Sequence, residues 1–159
     1  MRMGVAKIEH RIGVKASAET VWELLADLEG WCGWNPLYPA ASGSLRIGAP
    51  LTLTLALPGQ PGRIIQPTVV DWVPYEQLHW KDSSLGGLVR TLRYIEIEAL
   101  REDGCVVSNG EIFTGLLGPR AARRMKRPLR QGFTAMGEAI RDRAEAAWRA
   151  QGGAPTSSS

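Results

Sequence analysis

The chain has little with which to bind a metal, form disulfides or cross a membrane. Its 159 residues include two cysteines, Cys32 and Cys105, far apart and outside any paired motif. A disulfide framework and a zinc site are therefore not expected. Histidine is equally scarce, with His10 and His79 alone, and there is no His/Cys cluster, glycine-rich phosphate loop or nucleophile elbow. No metal or cofactor is expected. No run approaches the roughly 18 apolar residues needed to span a bilayer. Met1-Arg2-Met3-Gly4 lacks the apolar core of a signal peptide, which makes the cytoplasm the expected location.

What is present is an ordinary globular composition, 44% apolar and 22% charged, in a chain long enough for one domain with a real core. Its clearest element lies between Pro119 and Trp148. Met125, Leu129, Phe133, Met136, Ile140, Ala144 and Trp148 recur at spacings of three and four, the stripe of a long amphipathic helix. Pro119 suits its first turn, whereas Pro128 predicts a kink or a restart. The net charge of +3 is concentrated between Arg120 and Arg130. The plain reading of that cluster is a solvated helix face, although cations at a helix start oppose the macrodipole. Nucleic acid is the less expected partner, and peripheral membrane contact through Arg120 to Arg130 stays open.

The rest of the chain reads mostly as strands. Val5 to Val14 alternates, with Ile8, His10, Ile12 and Val14 on one face. Ser17 is placed to cap a helix whose stripe is Val21, Leu24, Leu25 and Leu28, ending at Gly30. A second short helix or turn follows over Trp31 to Pro36. Leu51, Leu53, Leu55 and Leu57 alternate with smaller residues, and the Pro58-to-Gly62 stretch predicts a hairpin tip. Arg63 to Val73 forms the return strand, with Pro67 marking a bulge or an edge. Gln77 to Lys81 has Leu78 and Trp80 on one face and His79 on the other. Val89 to Arg101 and Cys105 to Thr114 pair through a turn at Asp103-Gly104. The expected fold is α+β: two short helices after the first strand, then a curved antiparallel sheet of six to seven strands wrapped around one long C-terminal helix. One domain over residues 1–150 and a disordered tail over 151–159 complete the expectation.

Several stretches together resemble the START-like, or SRPBCC, superfamily. They are Ala18-Glu19-Thr20-Val21-Trp22, Trp34-Asn35-Pro36, Leu78-His79-Trp80 and Gly110-Glu111-Ile112-Phe113-Thr114-Gly115. That superfamily includes the plant pollen-allergen (Bet v 1-like) fold, lipid-transfer domains and the polyketide cyclase and dehydrase group. The resemblance covers roughly residues 5–148 and implies a helix-grip fold with a deep ligand cavity.

A long helix on a twisted sheet leaves a cavity that is mostly apolar and open at one end. Its expected lining is Leu53, Leu55, Trp80, Ile95, Phe113, Met125, Leu129, Phe133 and Met136, with Trp31, Trp34 and Asn35 serving either as a lid at the mouth or as the anchor of the loop before Pro36. Alternation with Ile95 and Ile97 turns Arg93 inward, where a buried guanidinium calls for an acidic partner or an anionic ligand. The orientation of Glu111 depends on register: a two-residue turn pairs it with Glu96, and a bulged three-residue connection sets it beside Ile95. The first reading of function is binding of a hydrophobic small molecule, such as a lipid, polyketide or aromatic metabolite. The alternative is a polyketide cyclase or dehydrase type of enzyme, with Glu111, Arg93 or Tyr94 as candidate catalytic groups. Whether a reaction is catalysed stays open at this level, as does the oligomeric state.

Overall fold

The computed structural model describes residues 5–152; the N-terminal four residues and most of the proposed tail, 153–159, lie outside the described residues. Strand β1 (Ala6–Val14) is followed by helix α1 (Ala18–Ala26) and a 3-10 turn, Leu28–Gly33. Strands β2 (Ala40–Gly43), β3 (Leu51–Leu55), β4 (Arg63–Ile65), β5 (Thr68–Val73), β6 (Gln77–Ser84), β7 (Val89–Arg101) and β8 (Gly104–Thr114) lead to helix α2 (Gly118–Ala150). The α+β helix-grip architecture holds, with eight strands rather than six or seven. They form a five-stranded sheet in the order β1-β8-β7-β6-β5 and a three-stranded one in the order β2-β3-β4.

The division falls at Pro67. The expected return strand is broken there into β4 and β5, which belong to different sheets. Proline cannot donate to a ladder, but its carbonyl accepts from Leu51 N at 2.8 Å. That bond and a Pro50–Thr68 bridge keep the two sheets joined as one curved wall.

Ser17 caps α1 as its position predicts, its hydroxyl accepting from Thr20 N at 3.0 Å. The helix ends at Ala26 instead of Gly30. Asp27 stops it: its carboxylate accepts from Gly30 N at 3.3 Å and starts the 3-10 turn, a local bond that competes with the α ladder.

Helix α2 packs chiefly against β1 and β8. Leu129, Phe133, Met136, Ile140 and Ala144 are buried along its stripe, while Met125 and Trp148 are partly buried. The helix runs through Pro128 without restarting. The carbonyl that loses its partner there belongs to Arg124, which is exposed and can turn to water. Gly137 brings α2 close to β1: a Cβ on it would stand 2.5 Å from His10 Nδ1. His10 thus packs under the helix, away from the cavity described below. Its partial burial lowers its pKa, against the opposing charge of Glu138. Of the cysteines, Cys32 is exposed and Cys105 buried, both as free thiols; burial pushes Cys105 up to about 11.

Candidate functional site

A cavity of about 370 Å³ lies between the three-stranded sheet, β6 to β8, and the first turns of α2. This is at the lower end of the range for small-molecule sites, about 300–1,000 Å³. Its walls are apolar: Leu55 and Leu57 on one side, Phe113 and Trp80 on another, and Ala121, Met125 and Leu129 along the helix. The mouth is marked by exposed residues, Arg63 of β4 and the run Asp82-Ser83-Ser84-Leu85 at the end of β6. Polar groups inside are few: Tyr38, Thr91 and Glu111.

Glu111 pairs with Arg93 across the β7–β8 ladder, not with Glu96 or Ile95. The turn falls at Glu102-Asp103, one residue before the expected Asp103-Gly104, and an irregularity between Ala99 and Arg101 shifts the register by one more residue. Directly opposed residues of an antiparallel pair share a face, so both side chains point inward. Glu111 reaches the cavity, and burial pushes its carboxyl above the usual carboxylate range. The charge of Arg93 and a Thr91 hydroxyl contact pull the other way, while Asp82 adds to the rise.

Arg93 does not pair with that carboxylate, and the expected acidic partner is absent within salt-bridge distance among the described residues. It is 2% exposed and is satisfied by neutral groups. Nε donates to Tyr38 Oη at 3.0 Å, Nη1 to the carbonyls of Tyr94 at 2.8 Å and Gly110 at 3.1 Å, and Nη2 to Asn109 Oδ1 at 3.0 Å. The guanidinium also lies 4.3 Å from the centre of the Phe133 ring, with Trp80 and Tyr38 at 5.6 and 5.7 Å. Three ring faces and several oriented dipoles replace the carboxylate, because a desolvated planar cation interacts favourably with both.

Tyr38 is the link between this buried cation and the cavity. Its ring packs on Trp31 and Trp80, with centroids 5.8 and 5.7 Å away. Its backbone N–H donates to Asn35 Oδ1 at 2.9 Å. Burial raises the pKa of its phenol, with Arg93 opposing. Since the hydroxyl accepts from Arg93, its own proton is free to be donated. No acceptor for it is found among the described residues, and the residue lines the cavity.

Of the residues expected at the site, Leu55, Trp80, Glu111, Phe113, Met125 and Leu129 line this cavity. Leu53, Ile95, Phe133 and Met136 are buried in the core, the last two against Arg93. Trp31, Trp34 and Asn35 are not at the mouth. Trp31 is fully buried, with Nε1 donating to Leu25 O at 3.1 Å, Trp34 packs on its ring, and Asn35 caps the backbone of Leu37 and Tyr38. Together they form the support behind Tyr38. Tyr94 neighbours Arg93 along β7 and therefore points to the opposite face of the sheet. There its hydroxyl donates to Glu9 and its ring meets His79, which is bonded to Glu96 at 2.9 Å. It cannot reach a molecule in the cavity. Tyr38 and Thr91 were missed. The signal for Tyr38 was an aromatic residue between Pro36 and Pro39 in a loop too short to be solvated at both ends.

Among the described residues no cluster of His, Cys, Asp or Glu is arranged to hold a metal, and no helix is long and apolar enough to cross a membrane. No curated protein sequence matches the chain. Among solved structures, the Zhui aromatase/cyclase from Streptomyces sp. R1128 superposes with a TM-score of 0.75 at 19% identity, covering 95% of this chain and 100% of that one. A START superfamily protein from Mycobacterium smegmatis gives 0.69 at 18%, covering 91% and 99%. Norcoclaurine synthase from Thalictrum flavum, a point mutant in complex with a transition-state analogue, gives 0.68 at 16%, covering 92% and 98%. At these identities the likeness establishes a shared fold. The sequence itself matches a family profile over residues 5–145, nearly all of the folded chain, and the protein belongs to the family described as polyketide cyclase / dehydrase and lipid transport.

Proposed function

We propose that the protein binds a compact, apolar, ring-bearing small molecule with an oxygen function, of the polyketide or aromatic-metabolite kind. The observation that carries this reading is the convergence of an apolar cavity on one oriented donor, the Tyr38 hydroxyl backed by Arg93. Apolar walls supply the driving force of binding, and a single buried donor fixes orientation, because leaving it unpaired costs about 1–3 kcal/mol. Trp80, Phe113 and Tyr38 offer ring faces and edges to a planar guest. The modest volume favours such a guest over a long-chain lipid. Native mass spectrometry of freshly purified protein, with solvent extraction of whatever leaves it, tests the reading. A stoichiometric oxygenated aromatic adduct supports it. A protein that flies empty and fails to brighten a fluorescent apolar probe overturns it.

A second reading, proton transfer on the bound molecule, is favoured by Glu111. A carboxyl held above its usual range keeps its proton in the cavity to a higher pH than an exposed carboxyl does, and is a stronger base once ionised. Tyr38 would donate to a ligand carbonyl oxygen while Glu111 exchanges a proton with the same molecule, which is the requirement for enolisation in a ring closure. Glu111→Gln separates the readings: an enzyme loses turnover while keeping affinity, and a binder shows a modest change in affinity alone.

A further inference from the structure

The cationic stretch of α2 takes no part in the cavity. Arg120, Arg123, Arg124, Lys126, Arg127 and Arg130 are all exposed, and no aspartate or glutamate interrupts residues 119–130. Among the described residues none of these six cations forms an ion pair. They add no ion pair to the fold, and Arg120, in the first turn, opposes the helix dipole.

Next to these cations is an apolar rim. Leu116, just before α2, is 64% exposed. Leu117 N donates to Leu88 O at 2.9 Å, which ties the turn at 115–117 to the turn at 85–88. Leu85 and Leu88, 66% and 42% exposed, therefore stand beside Leu116. Leu85 also belongs to the cavity mouth, and Ala121 and Met125 of the helix wall are each directly preceded in sequence by an exposed arginine, Arg120 and Arg124. Exposed leucines, unpaired arginines and the opening of an apolar cavity thus share one end of the molecule.

We propose that this end docks on a bilayer containing anionic phospholipid, with the leucines entering the headgroup boundary and the arginines engaging phosphates. Each basic residue near such a surface contributes to attraction, and isolated protruding apolar side chains insert there without needing a shaped groove. The leucines project singly from two turns and form no groove to receive a helix. Nucleic acid would satisfy the arginines but press the leucines against phosphate. Docked in this way, the cavity mouth opens toward the acyl layer, and an apolar ligand passes between bilayer and cavity without crossing water.

The test is flotation of the purified protein with phosphatidylcholine vesicles and with vesicles of phosphatidylcholine and phosphatidylglycerol. Binding to the second kind only is expected, weakening steeply as salt rises from about 0.1 M toward about 1 M, where the screening length falls from about 10 to about 3 Å. Combined Arg120→Glu, Arg124→Glu and Arg127→Glu should weaken binding at least about tenfold. Leu88→Ser with Leu116→Ser should weaken it too, leaving the salt dependence in place. Both variants should keep wild-type circular dichroism and apolar-probe binding, which shows that fold and cavity are intact. Absence of binding to phosphatidylglycerol vesicles, indifference to both sets of substitutions, or association with an acidic protein in place of vesicles would overturn the proposal. Vesicle binding requires no ligand in the cavity, so its failure leaves the ligand-binding reading standing.

Discussion

Arg93 and Glu111 face each other across the β7–β8 ladder, yet they make no ion pair. The guanidinium is committed to Tyr38, Asn109 and two backbone carbonyls, which leaves the carboxyl to the cavity. Arg93 is therefore a positioning residue and a distant positive charge. Arg93→Ala should cost about 3 kcal/mol or more, since each buried acceptor left without a donor costs about 1–3 kcal/mol. Urea unfolding of the variant measures this, and a loss below about 1 kcal/mol would mean that water replaces the guanidinium.

Glu111 carries a pH signature. Its folded pKa is raised by burial, so between the ordinary carboxylate value and that raised value the native state holds a proton that the unfolded state has lost. Stability contributed by the neutral form is present at low pH and is lost as pH rises through this window. Glu111→Gln removes the titration. The variant should match or exceed wild type in melting temperature at neutral pH and show a flatter profile from mildly acidic to neutral pH. A wild-type profile that rises through that window because of Glu111 would refute the assignment.

The mouth can be closed without disturbing the core. Ala121 is partly exposed on α2 and lines the cavity between Arg63 and Leu85. Ala121→Trp should weaken binding of a fluorescent apolar probe at least about tenfold, because a ligand must then displace or avoid an indole worth about 2–3 kcal/mol of burial. Its melting temperature should stay within about 2–4 °C of wild type, the equivalent of about 1 kcal/mol in a chain of this size.

Gly137 tests the contact of α2 with β1. Gly137→Ala gains helix propensity but drives a methyl to 2.5 Å from His10 Nδ1. Overpacking of about 1–3 kcal/mol should win over the gain of about 1 kcal/mol. A more stable variant by thermal unfolding would show that His10 moves aside freely.

The long helix was legible because its stripe repeats over many turns, and Leu129, Phe133, Met136 and Ile140 all lie buried along it. The inward direction of Arg93 was legible as well, from period-two alternation with Ile95 and Ile97. The partner of Arg93 was not. An acidic residue was the local expectation, and three aromatic rings from distant segments took that role instead. Glu111's register was hidden because the turn lies at Glu102-Asp103, one residue before the Asp-Gly pair, and a one-residue irregularity near Leu100 leaves no mark in composition. The role of Trp31 and Trp34 stayed open between lid and loop anchor for a similar reason: two indoles before a proline look alike whether they cover a mouth or support a floor. Where β4 and β6 stand across the cavity from α2, and hence where the cavity opens, is set by sheet curvature, which no short motif encodes.

If Tyr38 presents its hydroxyl proton to an oxygenated apolar guest, loss of that hydroxyl removes the guest's advantage over its hydrocarbon counterpart. Displacement of a fluorescent apolar probe by 2-naphthol and by naphthalene, on wild type and on Tyr38→Phe, tests it most directly. Naphthol should bind wild type more tightly than naphthalene by about threefold to tenfold, the worth of one hydrogen bond of about 0.5–1.5 kcal/mol, and Tyr38→Phe should remove the preference. Equal affinities on wild type, or a naphthol preference that survives in Tyr38→Phe, would contradict it.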